Sequence, residues 1–485
     1  MAEPGPVHVA AVDLGATSGR VVVAEVGPGG VRLDVVHRFA NTPVRLTDGL
    51  HWDVVGLFRE VVDGLRLAVR STPDVAGVAV DSWAVDYALL RDGRMVSTPF
   101  HYRDSRNAAA VEAVHAAVDP AALYARNGLQ HLPFNTVFQL VADGAHLEHA
   151  DTMLLVPDLI GHWLTGYVGA EVTNASTTGL LDVTNASWDV ELATTLGIPA
   201  EILAPLTPSG ATLGGLLPHV AAELGGHDLA VTTVGSHDTA SAIAGTVLGP
   251  DDAYVSCGTW GLAGLELERP VLADEARQAG FTNEGGVDGR VRFLHNVMGL
   301  WLLSESVRTW EREDGRAIDL PSLLAAAAEV EAPLVFDVDD PRFLPPGDIP
   351  ARIRAYASEH GLRPPADRVE TTRAILESLA DAFATTLHRA AELAGRRIHR
   401  IQVVGGGALN TLLCQLTADR SGLEVLAGPV EATALGNALV QGRTLGAVSG
   451  DLDALRALVG RTLEQKHYRP RPLRSTNPLV ARKVF

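Results

Sequence analysis

A short turn rich in glycine and hydroxyl residues follows an aspartate near the start of the chain. Asp13 ends an apolar run, and the next seven residues are Leu-Gly-Ala-Thr-Ser-Gly-Arg. A loop that wraps a phosphate needs glycines, so that backbone amides can come close, and hydroxyl groups that add donors. A carboxylate beside such a turn can hold Mg²⁺ through water. The alternative is a hairpin turn without a ligand, which a single glycine-rich turn favours.

Two more glycine turns follow apolar runs in the second half of the chain. They are Gly258-Thr-Trp-Gly261 and Gly405-Gly-Gly407. The first could contact phosphates, and the second would let the flat base of a nucleotide lie against bare backbone. Each turn alone is typical of ordinary packing between elements. Three such turns in one chain predict a nucleotide held between two domains.

An aspartate at the start of a helix is the candidate catalytic base. Asp238 follows a buried strand and the turn Gly-Ser-His, and an ionised carboxylate there could accept the proton of a substrate hydroxyl. The alternative is a simple N-capping role. His237 could bind substrate or satisfy a buried loop. Asp81 and Asp86 are competing carboxylates that could shape a sugar site or only cap a strand.

Several other chemistries lack the residues they need. The turn after Asp13 has no Gly-x-x-x-x-Gly-Lys pattern and is followed by a strand, so it is neither a P-loop nor a dinucleotide-binding turn. The 17 histidines show no metal-ligand spacing. Cys257 has no identifiable base beside it, and no Gly-x-Ser-x-Gly motif occurs.

The apolar pattern predicts α/β elements that position these residues. Apolar runs predict strands over 7–12, 21–26, 31–35 and 75–80, and Asp53 is predicted to cap a helix with apolar positions at helical spacing. In the second half, strands are predicted over 229–234, 253–256, 262–267 and 401–404. Helices are predicted from about Thr239, over 371–393 and from about Asn410.

A repeated strand, glycine turn and strand suggests a weak internal duplication, near Asp13 and near Thr259. The predicted domain junction is near residue 243. We therefore expect an N-terminal domain over 1–243, a C-terminal domain over 244–455, and a tail over 456–485 whose role the sequence does not give.

The composition restricts partners and location. In 485 residues, 39 Lys and Arg stand against 58 Asp and Glu, a formal net charge of −19. This acidity argues against nucleic acid and anionic membranes as partners. Two cysteines give no disulfide framework, and neither a signal peptide nor a membrane span is visible. The sequence predicts a cytoplasmic protein.

Taken together, the motifs resemble those of the FGGY carbohydrate kinases. The phosphate and adenosine motifs of that family match residues 13–20, 256–260 and 405–407. Further matching segments run in family order from about residue 8 to 445: 37–39, 51–53, 81–86, 102–106, 132–136, 157–158, 173–177, 236–241, 282–286, 296–301 and 428–431. The resemblance implies a two-lobed actin-like ATPase fold, with duplicated ribonuclease H-like domains and a central cleft.

The resemblance also implies a role for each matching residue. It makes Asp238 the proton acceptor and Asp13 a water-mediated anchor for Mg²⁺. The sugar would be bound by Ala84, His237, Asp238, Thr239 and Asn296. ATP would be bound by Ala16, Thr17, Ser18, Gly19, Arg20, Thr259, Ser304 and Gly406.

Two positions depart from the family pattern. Ala84 stands where a sugar-facing glycine is common, and Ser304 where a nucleotide-side glutamine is usual. Neither change removes a catalytic group. The resemblance implies transfer of a phosphoryl group from ATP to the 1-hydroxyl of L-rhamnulose. An L-fuculose or L-xylulose kinase, a non-catalytic sugar or nucleotide sensor, and a chaperone-like or filament-forming ATPase are the alternatives.

Overall fold

A computed structural model describes residues 5–471 of the chain. The chain divides into two compact units, each built from several segments. Within the described residues, unit 1 contains 5–250, Leu265–His295 and Glu431–Glu464, and unit 2 contains Asp251–Gly264, Asn296–Val430 and 465–471.

Unit 1 is organised around a six-stranded mixed sheet. Its strands lie in the order Thr212–Gly214, Ala230–Thr232, Val75–Ser82, Val7–Leu14, Ser18–Gly27 and Gly30–Ala40. The second, third and fourth strands in this order are parallel, and the remaining pairings are antiparallel. The parallel strands are nearly continuous apolar runs because both of their faces are covered. Five of the six strands overlap strands predicted from the sequence, and Thr212–Gly214 is the exception.

Helices cover this sheet. Asp53 caps the helix Val54–Ser71 by accepting a hydrogen bond from the backbone N–H of Gly56, which confirms the predicted start. The buried positions of that helix recur every three or four residues, as an amphipathic helix requires. The other helices of unit 1 are Ala108–Ala117, Pro120–Asn127, Thr136–Asp143, Val156–Thr165, Val172–Ala175, Val190–Thr195, Pro218–Glu223, Asp238–Ala244, Asp274–Gln278, Ala432–Thr444 and Leu452–Thr462.

Short strand pairs complete unit 1. They are Val44–Arg45 with Leu50–His51, Tyr87–Arg91 with Arg94–Met95 and Thr152–Leu155, Ala170–Glu171 with Leu206–Thr207, Leu181–Asp182 with Ser187–Trp188, and Thr282–Gly285 with the start of Val291–Met298.

Unit 2 contains a second parallel layer. Strands Asp252–Cys257, Arg400–Val404 and Glu424–Ala427 are parallel neighbours, and Lys466–Tyr468 adds an antiparallel edge. The helices are Trp301–Asp314, Leu320–Ala328, Ile349–Glu359, Arg368–Leu393 and Thr411–Ser421. Asn410 caps the last of these through the backbone N–H of Leu413. The predicted strands over 253–256 and 401–404 and the predicted helices are confirmed.

The boundary between the units falls inside two strands, Trp260–Leu267 and Val291–Met298. The division of the chain at residues 243 and 455 stays a prediction, and part of its tail, residues 472–485, lies outside the described residues. Among residues 5–471, no helix is both long and apolar enough to cross a membrane.

Candidate active site

Three aspartates lie at the carboxyl ends of the three parallel strands of unit 1. Asp13 is near the end of Val7–Leu14, and its register partner on the adjacent strand is Asp81. Asp238 follows the third strand, where Ser82 forms an isolated parallel bridge with His237. The carboxyl ends of neighbouring parallel strands are where open α/β sheets hold ligands. Chain topology therefore gathers three acidic groups at one edge of the sheet.

Asp13 is buried and paired with an arginine. It is 2% exposed, and its Oδ2 accepts hydrogen bonds from Nε and Nη2 of Arg20 at 2.8 and 2.5 Å. Arg20 Nε also lies 3.2 Å from Glu431, whose other carboxylate oxygen pairs with Arg38. Burial raises the pKa of Asp13 to about 6, although the charge of Arg20 opposes the shift. Arg20, which the sequence predicts to bind phosphate, thus pairs with two carboxylates.

The turn after Asp13 is tight. The N–H of Gly15 donates to the carbonyl of Ser18 at 3.0 Å, and the Asn41 side chain donates to the Gly15 carbonyl at 2.9 Å. A Cβ on Gly19 would lie 2.3 Å from the ring of Phe39, so that position needs glycine for close packing. Thr17 and Ser18 are exposed, and Ala16 is half-buried. These contacts hold the backbone of the turn, while its hydroxyl residues are exposed to solvent.

Asp81 is more deeply buried than Asp13. It is 0% exposed, and its Oδ2 accepts a hydrogen bond of 2.5 Å from the side chain of Asn437. Its Oδ1 has no hydrogen-bond partner among the described residues. Burial, reinforced by the charge of Asp13, raises the pKa of Asp81 well above its usual value. Burial therefore favours the protonated form of Asp81, and a cation at its open oxygen would favour the ionised form.

A buried glutamate fixes the turn that precedes Asp238. Glu171 is 0% exposed, and its Oε2 accepts hydrogen bonds from the N–H and hydroxyl of Ser236 at 3.0 and 2.8 Å. The same oxygen accepts bonds from the N–H and hydroxyl of Thr173, while Oε1 accepts one from Ser209. Because so many donors converge on one carboxylate, the Ser236–His237 backbone is held in one place.

Asp238 is the first residue of the helix Asp238–Ala244, and His237 is its N-cap. The Asp238 side chain is 30% exposed, and its Oδ1 accepts a hydrogen bond from the Thr239 hydroxyl at 3.1 Å. No backbone N–H among the described residues donates to this carboxylate, so it does not cap the helix. The carboxylate is therefore open to a ligand.

Close helix packing sets the position of that short helix. A Cβ on Gly436, in the helix Ala432–Thr444, would lie 1.8 Å from the carbonyl oxygen of Ser241. Only glycine allows this approach. The next residue in the helix is Asn437, which bonds to Asp81, so one helix orients both the Asp238 helix and the Asp81 side chain.

A buried arginine contacts His237 from inside unit 1. Arg292 Nη2 lies 2.9 Å from His237 Nδ1 and 3.0 Å from Glu284 Oε2. On its other side, His237 Nε2 lies 3.5 Å from Asp238 Oδ1. Sequence patterns do not identify Arg292, and Glu284 appears in the sequence only as part of a matching segment.

Asp86 lies at the centre of an aromatic cluster. It accepts hydrogen bonds from the indole N–H groups of Trp52 and Trp83 at 2.6 and 3.0 Å, and from the Gln139 amide at 2.8 Å. The Trp52 and Trp83 rings lie 4.1 Å apart. Burial raises the pKa of Asp86 to about 6. Its oxygens are occupied, so Asp86 orients the aromatic residues.

Ala84 follows Trp83 in this cluster and is half-buried. The next residue, Val85, has a φ of +68°, which is strained for a β-branched residue. The Val85 carbonyl accepts a hydrogen bond of 2.6 Å from the Thr136 hydroxyl, which helps to hold this conformation. Strained backbone of this kind is common at functional sites.

The remaining candidate residues lie in unit 2. The carbonyl of Thr259 accepts a hydrogen bond from the N–H of Trp301, at the start of the helix that carries Ser304. Thr259, Ser304 and Gly406 are exposed, and Asn296 is half-buried in the strand Val291–Met298. A Cβ on Gly406 would meet no atom within 4 Å.

The two cysteines are inert. Burial raises the pKa of Cys257 and of Cys414 to about 12, so both are protonated thiols. Within residues 5–471, no group of three or more His, Cys, Asp or Glu side chains is arranged to hold a metal ion directly. A metal at Asp13 would therefore need ligands from water or substrate.

Two family models together match most of the chain. The N-terminal domain of the FGGY family of carbohydrate kinases matches residues 8–245, and the C-terminal domain of the same family matches residues 253–445. This chain belongs to the FGGY family of carbohydrate kinases. It is accordingly a sugar kinase.

Several curated relatives of similar length are rhamnulokinases. The chain is 40% identical over 476 residues to a rhamnulokinase of Pectobacterium carotovorum, covering 96% of this chain and 93% of that one. It is 36% identical to a rhamnulokinase of Bacteroides thetaiotaomicron, covering 96% of each. It is 38% identical to a rhamnulokinase of Enterococcus faecalis, covering 96% and 95%.

Solved structures of sugar kinases share the fold. A gluconate kinase of Lactobacillus acidophilus has a TM-score of 0.77 at 15% identity, covering 98% of this chain and 95% of that one. A ligand-bound xylulose kinase from the same organism has a TM-score of 0.77 at 17% identity, covering 98% and 94%. The predicted actin-like, two-domain α/β fold is confirmed.

Proposed function

We propose that this kinase transfers the γ-phosphoryl group of ATP to the 1-hydroxyl of L-rhamnulose, giving L-rhamnulose 1-phosphate and ADP in rhamnose catabolism. The proposal is supported by the rhamnulokinases that match nearly the whole chain at 36–40% identity. The structural observation that carries it is the open carboxylate of Asp238, fixed beside His237 at the edge of the sheet.

Asp238 acts as the proton acceptor in this proposal. In phosphoryl transfer the enzyme has little covalent chemistry to perform, so positioning and electrostatic stabilisation account for most of the catalysis. Asp238 would orient the 1-hydroxyl and take its proton as the oxygen attacks the γ-phosphorus. Glu171 holds Ser236 in place, and Ser236 lies two residues before Asp238. The carboxylate is thereby kept in the position that the reaction needs.

The residues around Asp13 fit a magnesium ion held through water. Both donor atoms of Arg20 bind Oδ2 of Asp13, which leaves Oδ1 outside the ion pair, and Oδ1 of Asp81 is a buried acceptor without a partner. Mg²⁺ prefers oxygen ligands and keeps several waters. When bound, the ion would neutralise charge on the phosphates, and Asp13 would hold its water shell.

The residues that we propose for ATP binding fall into two groups. In unit 1, Ala16, Thr17, Ser18, Gly19 and Arg20 would offer amides, hydroxyls and a cation to the phosphates. In unit 2, Thr259 would contact phosphate, Ser304 would lie near the nucleotide, and Gly406 would let the adenosine approach the backbone.

The ketose would be bound mainly in unit 1. His237 and Thr239 flank Asp238, and Ala84 lies beside the aromatic cluster around Asp86. Asn296 is a further candidate for contact with the sugar or the transferred phosphate. The methyl group of Ala84 offers no hydrogen bond, so it would act on specificity only by removing space.

A ketose panel tests this function. The rate of ADP formation is measured with L-rhamnulose, L-fuculose, L-xylulose and D-fructose, and the product is examined by ³¹P NMR for a phosphate on C1. We expect the largest kcat/KM with L-rhamnulose. A tenfold preference for another ketose, about 1.4 kcal/mol, would assign the chain to that sugar instead. Phosphorylation at another carbon would overturn the proposed chemistry.

A further inference from the structure

Arg292 is a fully buried cation that reaches the candidate sugar site from inside unit 1. Its exposed fraction is 0%, and its Nε donates to the carbonyl of Gly285 at 3.0 Å. Burying a charge without a partner is very costly. Glu284, which is 8% exposed, supplies the opposite charge at 3.0 Å. Glu284 balances the charge, although Nη1 of Arg292 has no hydrogen-bond partner among the described residues. The contact of Nη2 with His237 is therefore not needed for charge balance and needs a separate explanation.

The contact with His237 fixes the position of the imidazole proton. A guanidinium nitrogen carries hydrogens and has no acceptor, so Nη2 of Arg292 must donate to Nδ1 of His237 across their 2.9 Å separation. In a neutral imidazole the proton is then on Nε2. The competing arrangement puts the proton on Nδ1, facing Glu284 Oε2 at 3.3 Å. That arrangement would set two N–H groups against each other at 2.9 Å.

Glu284 makes the arrangement electrically balanced. Burial alone would raise the pKa of Glu284, but the neighbouring charge of Arg292 opposes this effect and the pKa is lowered overall, so the carboxylate is ionised. An ionised carboxylate beside the arginine keeps the buried cluster neutral when His237 is itself neutral. The cluster can therefore hold a neutral histidine without an unpaired charge.

The other ring nitrogen faces the reacting group. Nε2 of His237 lies 3.5 Å from Oδ1 of Asp238, and His237 is 7% exposed. A proton on Nε2 makes this atom a donor to a sugar oxygen, whereas a bare Nε2 would require a sugar hydroxyl to donate to it. The tautomer thus decides which kind of sugar atom can lie beside Asp238.

We propose that Arg292 and Glu284 are positioning residues that hold His237 with its proton on Nε2, so that His237 donates a hydrogen bond to a ketose oxygen beside Asp238. The proposal rests on the proposed function, because it takes the sugar to lie at His237 and Asp238. Neither Arg292 nor Glu284 touches the sugar in this arrangement.

The chain offers a matched control for the buried pair. Arg456 is 4% exposed, pairs with Glu266 through two bonds of 2.6 and 2.8 Å, and donates to the carbonyl of Ile243. This pair lies in the same unit and also combines a glutamate with a backbone carbonyl, but it has no histidine. Arg456→Lys and Arg292→Lys should therefore lower the melting temperature similarly.

The first test measures the tautomer directly in the full-length protein. Two-bond ¹H–¹⁵N spectra of protein labelled at histidine distinguish protonated Nδ1 from protonated Nε2, and the His237→Gln variant identifies the His237 signals. We expect protonated Nε2 in the wild type and in Arg456→Lys. Protonated Nδ1 in the wild type would overturn the proposal. This measurement needs no substrate and no variant at Arg292.

The second test is a double-mutant cycle read out by kinetics. Gln at position 237 carries an N–H donor whatever residue stands at 292. We expect Arg292→Lys to raise the KM for the ketose about tenfold when His237 is present, the effect of one lost hydrogen bond. In the His237→Gln background the same change should raise KM less than threefold. Equal losses in both backgrounds would mean that Arg292 acts only through the fold.

Failure of this proposal and failure of the proposed function give different results. If L-rhamnulose is not the best substrate, the cycle is measured with the ketose that the wild type prefers, and the tautomer is unaffected. If the wild type phosphorylates L-rhamnulose but carries the proton on Nδ1, only the proposal about Arg292 fails.

Discussion

The parallel strands of the two units end in residues of opposite character. In unit 1, the three adjacent strand ends present Asp13, Asp81 and Asp238. In unit 2, Asp252–Cys257, Arg400–Val404 and Glu424–Ala427 are parallel neighbours, and each is followed directly by a glycine. Each unit therefore has a layer of three parallel strands, but the strands are followed by acidic residues in unit 1 and by glycines in unit 2.

This difference indicates that the strand ends of the two units have different functions. Carboxylates can accept a proton and hold the water shell of a cation. Glycines can do neither, but they let a flat or highly charged ligand come close to the main chain. We therefore expect changes at the strand ends of unit 1 to affect turnover and changes at the strand ends of unit 2 to affect the KM for ATP. The predictions below test that division.

The largest effect is expected from Asp238→Asn. Asparagine has nearly the same shape as aspartate, and the Asp238 carboxylate does not cap the helix, so the fold should survive, while loss of the general base should lower kcat about 10²- to 10⁴-fold. Steady-state kinetics and the sugar dissociation constant measure the two properties separately. Asp53→Asn is the matched control, because Asp53 caps a helix and has no predicted role in the chemistry. Near wild-type turnover in Asp238→Asn would remove the main difference between the units.

Asp13→Asn should have the next largest effect. Losing a partner that holds a metal through water costs about 10- to 100-fold, and we expect this loss in kcat/KM at limiting Mg²⁺. Burial raises the pKa of Asp13 to about 6, so the ionised form disappears as the pH falls through 6. The Mg²⁺ concentration for half-maximal rate should therefore rise between pH 7 and pH 5.5 in the wild type. A similar rise in Asp13→Asn would show that another group is responsible.

The variant Gly406→Ala tests whether a strand end of unit 2 affects the KM for ATP. A Cβ at this position meets no protein atom within 4 Å, so the fold should be unaffected. We expect the KM for ATP to rise about tenfold, about 1.4 kcal/mol, with kcat nearly unchanged. Gly407→Ala is the contrasting variant, since its Cβ would lie 2.6 Å from the sulfur of Cys257 and should lower the melting temperature. An unchanged KM in Gly406→Ala would mean that the nucleotide does not approach Gly406.

The smallest effect is expected from Ala84→Gly. Removing one methyl group should leave kcat/KM for L-rhamnulose largely intact and improve bulkier ketoses by up to about tenfold. The measurement is the ratio of kcat/KM values across the ketose panel in both proteins. Unchanged ratios would mean that Ala84 does not face the sugar. A change confined to the KM for ATP would contradict the division between the units.

Local sequence patterns identified the elements and the acidic ends well. A buried apolar run followed by a polar residue placed Asp13 and Asp81 at strand ends, and apolar residues at helical spacing after Asp53 predicted the cap there. These features depend on a few neighbouring residues. The predicted strand over 229–234 is shorter in the structure, Ala230–Thr232, because the Thr233 hydroxyl and backbone bind the loop at Pro208–Ala211 instead.

The contacts that orient the acids could not be predicted in this way. Asn437 bonds to Asp81 across 356 positions, Ser236 to Glu171 across 65, and Arg292 to His237 across 55. Each partner lies in an ordinary local pattern, and only the tertiary fold brings the pair together. Glu171 lies just before the family-like segment 173–177, but nothing in its neighbours indicates that its carboxylate binds Ser236.

The bond between Asn437 and Asp81 also has a consequence for synthesis on the ribosome. At about 5–20 residues per second, the 356 positions between these two residues take roughly 20 to 70 seconds to translate. Throughout that interval the sheet of unit 1 lacks the helix that covers Val7–Leu14, and Asp81 has no amide partner. The nascent chain must keep an apolar sheet face from aggregating until the helix Ala432–Thr444 emerges, so its exposure to chaperones is set by the position of one helix in the sequence.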